Sequence, residues 1–405
     1  MKPVGQKYVT FFIQGCLAAT LIACGSDDDG GGGANTPTAV PTSTATGVPT
    51  ATPTTELCAI TPGAWSAPQW EANAADALAL RAQLDELVGA NAMRGAEQGT
   101  VVIGGTSQLV DLYEAGDPSL ADVTTPAYDA VMEDVFDDFV ALLAAGPGDP
   151  INGAGMWVPG PDGGIFGESD RGINAGGLEI RQIADKGLFS GGALFNYALG
   201  LSEGSLDAAA IDAMAAAWGA NQDLDPAGSL TDAANYSYQM GFHAEIAAAL
   251  TDAKAYAADS ACNAERDEAV RAFFRTWEHS MFARLVYYAN RGASLVGGAT
   301  TNNDRIEGLH QVAEGIGLAL GFTGLPDPTT GPLAGQARVI TDAEVDALMA
   351  AVGVDPADLN ASTTGTLVED AGDFDAAAIA VEEIVADVYD LDAAEIASYR
   401  DPVAG

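Results

Sequence analysis

Between Pro126 and Gly146 the residues Tyr128, Val131, Met132, Val135, Phe136, Phe139, Val140 and Leu143 recur every three or four positions. Only an α-helix with one buried face gathers that spacing into a single stripe. Asp129, Glu133, Asp134, Asp137 and Asp138 occupy the opposite face, with a proline in the first turn and a glycine just past the last. The same period runs through Trp70, Ala74, Ala77, Leu78, Arg81, Leu84 and Leu87, and through 175–201, 206–220, 231–258, 263–293, 304–322 and 374–389. Thr341-Asp342-Ala343-Glu344 forms a capping box ahead of Val345, Leu348 and Val352. Strand-like sequence is confined to the short Val101-Val102-Ile103 run. The pattern predicts an all-α fold, a multi-helix bundle of about eight to ten helices spanning residues 58–405.

Two stretches interrupt the pattern. Residues 146–174 are rich in Gly, Pro and Asp and hold Met156-Trp157-Val158 and Ile165-Phe166. A loop of that length inside a helical domain is a functional or packed cover. Gly187, Gly191 and Gly192 fall within the helical segment Leu178 to Tyr197, where each costs about 1 kcal/mol relative to alanine. Close helix packing would justify that cost, and so would a break between two shorter helices.

The N-terminus predicts a compartment. Lys2 and Lys7 precede an apolar run from Tyr8 to Ala23, too short for a stable span, and Leu21-Ile22-Ala23-Cys24 follows the pattern of a lipobox. Residues 1–23 are therefore expected to be a lipoprotein signal peptide and Cys24 the lipid-modified first residue of the mature chain. Gly25, rather than Asp, after that cysteine points to the outer membrane of a Gram-negative envelope. Residues 24–57, with Gly30 to Gly33 and then a Pro/Thr-rich stretch, cannot bury a core and read as an extended tether. Cys58 and Cys262 are the cysteines left in the mature domain, and an oxidising envelope predicts a disulfide between them.

Charge narrows the partners. The chain holds 16 Lys plus Arg against 57 Asp plus Glu, a net charge of −41, with 48% hydrophobic residues. That apolar content supports a packed core and excludes global disorder. The missing bases exclude unaided binding to a nucleic-acid backbone and disfavour a polybasic dock on anionic lipid. Membrane attachment is left to the lipid at Cys24, and cations become the natural ligands. Solubility in a salty habitat explains the same acidity without any ligand.

The three histidines, His243, His279 and His310, fall in different predicted helices. Glu307, His310 and Glu314 share one helical stripe, so two carboxylates can flank one imidazole and hold a divalent or iron cation. Glu-x-x-His occurs once, which argues against a di-iron bundle needing two copies. A histidine at the bundle seam, satisfied by Glu307 or a carbonyl, is the competing reading for His310. His243 and His279 read mainly as packing residues, the latter beside Arg275. Phe274, Trp277, Met281 and Tyr288 form an aromatic stripe that reads as core. Asn221, Asp223, Asp225 and Asp232 are spaced like a calcium loop, but Pro226 stands where the turn needs glycine. No catalytic residue is assigned, because serine-elbow, phosphate-loop, haem and His-Glu-x-x-His motifs are all missing from the sequence.

The lipobox, the low-complexity tether, the helical domain and the segment Leu309-His310 to Glu314-Gly315 resemble the imelysin-like bacterial envelope lipoproteins. Gly177-Leu178-Glu179-Ile180 and Lys186-Gly187-Leu188 also resemble a related lipoprotein group. The resemblance spans roughly residues 66 to 400 and implies a helical domain associated with iron or other metal uptake. It implies that His310 and Glu314 match the family's His-x-x-Glu pair, although here the acid lies four residues on and Ala313 occupies the third position. A family assignment as peptidase survives that change less well than a metal role. The expectation is a non-enzymatic envelope lipoprotein that binds a metal ion or small ligand. The alternatives are a surface scaffold for an envelope protein partner and a metallopeptidase built on His310.

Overall fold

The computed structural model describes residues 57–147, 163–226, 233–326, 333–364 and 371–402. The signal segment with Cys16, the lipidation site Cys24, the tether up to Glu56, Met156-Trp157-Val158 and Asp232 lie outside the described residues. The first helices are α1 (Trp70–Asn73), α2 (Ala75–Val88), α3 (Met93–Glu97), α4 (Thr106–Tyr113), α5 (Leu120–Val123) and α6 (Pro126–Ala145). A hairpin of β1 (Gly164–Phe166) and β2 (Arg171–Ile173) follows, then α7 (Ile180–Gly187), a π-helical turn (Leu188–Gly192), α8 (Leu194–Ser202), α9 (Ala208–Trp218), α10 (Ala233–Gln239) and α11 (His243–Tyr256). The chain continues with α12 (Asn263–Gly297), α13 (Asn302–Leu320), α14 (Asp342–Ala351), α15 (Ala371–Tyr389) and α16 (Ala393–Arg400).

The fold is all-α, but more finely divided than the sequence pattern predicts. Sixteen α-helical segments, two of them single turns, stand among the described residues in place of eight to ten. One reason is local breaks: Gly241 at φ 85° separates α10 from α11 inside what reads as one segment, 231–258. The other is length, because α3, α5 and α16 hold too few residues to display a 3.6-residue period. Strand forms in the stretch read as loop: β1 and β2 pair antiparallel, with Ile165 opposite Gly172. Val101-Val102-Ile103 adopts no strand, and Val102 is exposed.

α6 shows how sequence sets boundaries. The Thr125 hydroxyl accepts the Tyr128 amide at 3.2 Å, Pro126 occupies the first turn, and Gly146 at φ 72° ends the helix. Its acidic face is partly covered: Asp134 accepts the Leu359 amide at 2.7 Å, and buried Asp138 accepts from Asn174 at 2.8 Å and from Asn360. Burial pushes Asp138 up to about 6.

α12 is the axis of the bundle. Its 35 residues extend about 50 Å at 1.5 Å per residue, and α10, α11, α13, α15 and α16 pack along it. Phe274, Trp277 and Met281 are fully buried, and Phe195 meets Phe274, Trp277 and Phe322 edge-to-face at 4.8–5.3 Å. That part of the aromatic stripe is core. α7 packs between α13 and α6, where the three glycines of this region act. A side-chain carbon on Gly187 or Gly192 would collide with the Tyr128 ring, and one on Gly191 with the backbone at Gly321. Close packing and a break therefore coexist, because the π turn sits where the glycines let Tyr128 and α13 approach. Cys58 and Cys262 form a disulfide that ties the approach to α1 to the start of α12. Among the described residues no helix is long and apolar enough to cross a membrane.

Candidate functional site

The hairpin and α7 place charges inside the fold. Asn174, just after β2, accepts the Leu178 amide at 3.0 Å and so shapes the turn that delivers Glu179 to the start of α7. The Gly172 amide donates to Glu97 at 3.1 Å, which fixes β2 against α3 and sets Arg171 beside Glu179. α7 then carries Arg181, Gln182, Asp185 and Lys186, all buried. Opposite them α13 brings His310 and Glu314, and α12 brings Arg284 and Tyr288. Between these helices lies a cleft of about 500 Å³.

Five ionisable side chains of its wall, Arg181, Asp185, Lys186, His310 and Glu314, close a ring with Glu179, which is fully buried behind them. Arg181 meets Glu179 at 2.9 Å, Glu179 meets His310 at 2.7 Å, and His310 faces Glu314 at 3.7 Å. Glu314 lies 3.6 Å from Lys186, Lys186 bonds Asp185 at 2.9 Å, and Asp185 returns to Arg181 at 3.9 Å. Two branches extend it: Glu97 takes Arg181 at 2.9 Å and Arg94 at 3.1 Å, and Arg171 reaches Glu307 at 3.0 Å. Burial by itself would raise Glu179, but His310, Arg181 and Arg171 outweigh it and hold its carboxyl well below the usual range. Glu97 is pushed up by burial, against the pull of Arg181. Burial opposes the charge on Lys186, yet Asp185 and Glu314 hold it above its ordinary value.

The charge on Glu179 settles a proton. An ionised carboxylate only accepts, so His310 Nδ1 carries the hydrogen between them. His310 Nε2 then faces Glu314, in the arrangement by which a carboxylate orients a histidine for ligand or proton chemistry. Burying this many ions contributes little to stability compared with packed apolar residues. Perturbed charges gathered in a cleft make this the candidate site of the fold. Arg94, Arg171, Arg181, Lys186 and Arg284 line this one cleft, five of the 16 bases of the chain.

The residues singled out from sequence are distributed unevenly. His310 and Glu314 both enter the cleft, whereas Glu307 lies outside its lining and accepts from Arg171 at 3.0 Å. His243 bonds the Leu224 carbonyl at 2.7 Å and stacks on Trp218. His279 stacks on Tyr389 and meets the Tyr399 hydroxyl at 3.1 Å, and burial lowers it to about 4. The histidines thus have separate surroundings. Asn221 spends its side-chain oxygen on the Asp223 and Asp225 amides, a local turn. Among the described residues no group of three or more His, Cys, Asp or Glu side chains is placed to hold a metal ion. A second groove of about 570 Å³, between α11 and α12, is lined by Glu245, Asp252, Glu265 and Glu268 and has no base or buried polar group in its wall.

The sequence pattern did not mark Glu97, Arg171, Glu179, Arg181, Asp185, Lys186 and Arg284 as site residues. One signal was available: Glu179, Arg181, Asp185 and Lys186 alternate in sign between Ile180, Ile183, Ala184 and Leu188, in a chain very short of bases. No protein-family model, curated protein or solved structure matches this chain.

Proposed function

We propose that this chain is a lipoprotein anchored through Cys24 in the cell envelope, at the outer membrane, whose helical domain binds a small ligand in the cleft between α7, α12 and α13. The observation that carries it is the buried ring of Glu179, His310, Glu314, Lys186, Asp185 and Arg181, five of whose members line an open cavity. An apolar seam would stabilise the bundle at least as well. The ring holds polar groups in fixed positions along the cleft wall, which is the use of such networks in binding sites. The role is binding rather than catalysis. A thermal-melt screen of the full chain against small polar molecules, with Glu179→Gln alongside, tests the cleft. A compound that raises Tm of the wild type and not of the variant supports it; compounds acting equally on both remove it. Labelling with radioactive palmitate tests the anchor, which requires incorporation into the wild type and none into Cys24→Ser.

A metal reading, in line with the imelysin-like resemblance, is favoured by one feature. Glu179 orients His310 so that Nε2 faces Glu314, and these two could contribute ligands to a divalent or iron cation. Lys186 at 3.6 Å from Glu314 opposes a cation there, and Glu307 belongs to Arg171 instead. Elemental analysis and titration with Fe²⁺ and Zn²⁺ test this reading. Equal uptake by wild type and His310→Ala would remove the site.

A further inference from the structure

We propose that the cleft takes a small zwitterion of the amino-acid type, its acid group on Arg284 and its ammonium group at Asp185 and Gln182. The inference rests on the cleft being a ligand site and adds the chemistry of the ligand.

The acid end follows from Arg284. Its residue is 9% exposed, and no carboxylate pairs with it among the described residues. Its guanidinium carbon stands 4.2, 4.5 and 5.1 Å from the ring centres of Tyr287, Tyr288 and Tyr236. One Nη2–H donates to the Tyr288 hydroxyl at 3.3 Å, while Nε is buried without a partner among the described residues. A guanidinium has five N–H donors, so most of its capacity is unmet by the protein. Arg94, Arg171, Arg181 and Lys186, by contrast, each have a carboxylate within 3.6 Å. In a chain with 57 acids, a buried arginine with none calls for an acid from outside, and its planar fork suits a carboxylate. Tyr288 donates to the Tyr236 hydroxyl at 3.2 Å, so the Tyr236 proton is left to point at the same acceptor.

The ammonium end follows from unmet acceptors. Gln182 Oε1 and Asp185 Oδ1 are buried and lack a donor among the described residues, and both side chains line the cleft. A buried acceptor left without a donor keeps its full desolvation penalty. A plain anion would leave them unmet and lie beside Asp185 and Glu314. A plain cation would leave Arg284 unmet. A molecule with both ends answers both deficits, and a cavity of about 500 Å³ is within the size range of small-ligand sites.

Calorimetric titration of the full chain in detergent tests the assignment. The probes are free L-amino acids, each beside its des-amino acid and its amino alcohol, with inorganic phosphate as a further probe. At least one amino acid is expected to bind, with each one-ended analogue at least tenfold weaker. Arg284→Gln should abolish the advantage over the amino alcohol, and Asp185→Asn the advantage over the des-amino acid. Should either variant fail to fold, the analogue series on the wild type decides alone. A des-amino acid or phosphate binding as tightly as the amino acid overturns the proposal, as does unchanged binding by folded Arg284→Gln. If every amino acid fails while another compound from the melt screen binds, the zwitterion is wrong and the ligand site stands. If nothing binds in either experiment, both are wrong.

Discussion

At the scale of single residues, Glu179 is the most heavily partnered carboxylate of the ring. Its two oxygens meet Arg181, Gln182 and His310, with Arg171 at 3.6 Å, and it is fully buried. Replacing it by Gln strands several buried cations, so Glu179→Gln should cost about 3–5 kcal/mol in chemical denaturation. Glu307→Gln removes an acid whose side chain is 27% exposed and should cost no more than about 1 kcal/mol. Equal losses would show that the ring is not the stronger network. Away from the cleft, buried Glu278 accepts the Val339 and Ile340 amides and the Tyr389 hydroxyl, and burial raises it to about 7. With an unfolded value of 4.5, the folded chain holds the extra proton between these limits, so the Glu278 contribution is full below pH 4.5 and is lost as pH rises to 7. The adjacent His279 works in the opposite direction: lowered to about 4 from 6.5, it adds stability as pH rises between those values. Their slopes cancel over the shared window. Glu278→Gln should uncover the histidine, and its stability should climb by about 1.4 kcal/mol per pH unit between pH 4.5 and 6.5 relative to wild type. Parallel pH profiles for the two proteins would contradict this.

At the scale of elements, the junction of α7 with α6 and α13 is where sequence cost and packing gain can be separated. Gly187→Ala would press a methyl group into the Tyr128 ring and hydroxyl, which donates to the Ile183 carbonyl at 2.5 Å. Overpacking there should lower stability by about 1–3 kcal/mol despite the better helix propensity of alanine. Gly200 in α8 faces open space, and Gly200→Ala should raise stability by up to about 1 kcal/mol. Melting curves of the two variants moving in the same direction would refute the account of the junction. Helices with long apolar stripes were legible in advance: α6, α12, α13 and α15 lie where the periodicity of Tyr128 to Leu143 and its counterparts places them. The β1–β2 hairpin was not, because three-residue strands containing Gly164 and Gly172 carry no alternation to read. The candidate site was half legible. His310 and Glu314 share a helix, so local spacing places them together, whereas Glu179 comes from 131 residues away.

At the scale of the whole molecule, the Cys58–Cys262 disulfide closes a loop of 204 residues. Loop-closure entropy alone gives such a link up to about 5 kcal/mol, and Cys262→Ser should lose a substantial part of it. Equal denaturation midpoints for Cys262→Ser and the oxidised wild type would show that the link contributes nothing. The net charge of −41 also has an internal structure: bases are scarce overall, yet five of them line one cleft beside three acids, Asp85, Asp185 and Glu314. By itself the amino-acid sequence determined the helical class and most helix positions, because amphipathic periodicity is a local property of neighbouring residues. Only the tertiary structure decided that Glu307 leaves the His310 stripe for Arg171, that Glu179 takes its place, and that Arg284 has no acid partner among the described residues. Those choices depend on which side chains distant segments bring within a few ångströms after burial, where desolvation makes every charge seek a partner.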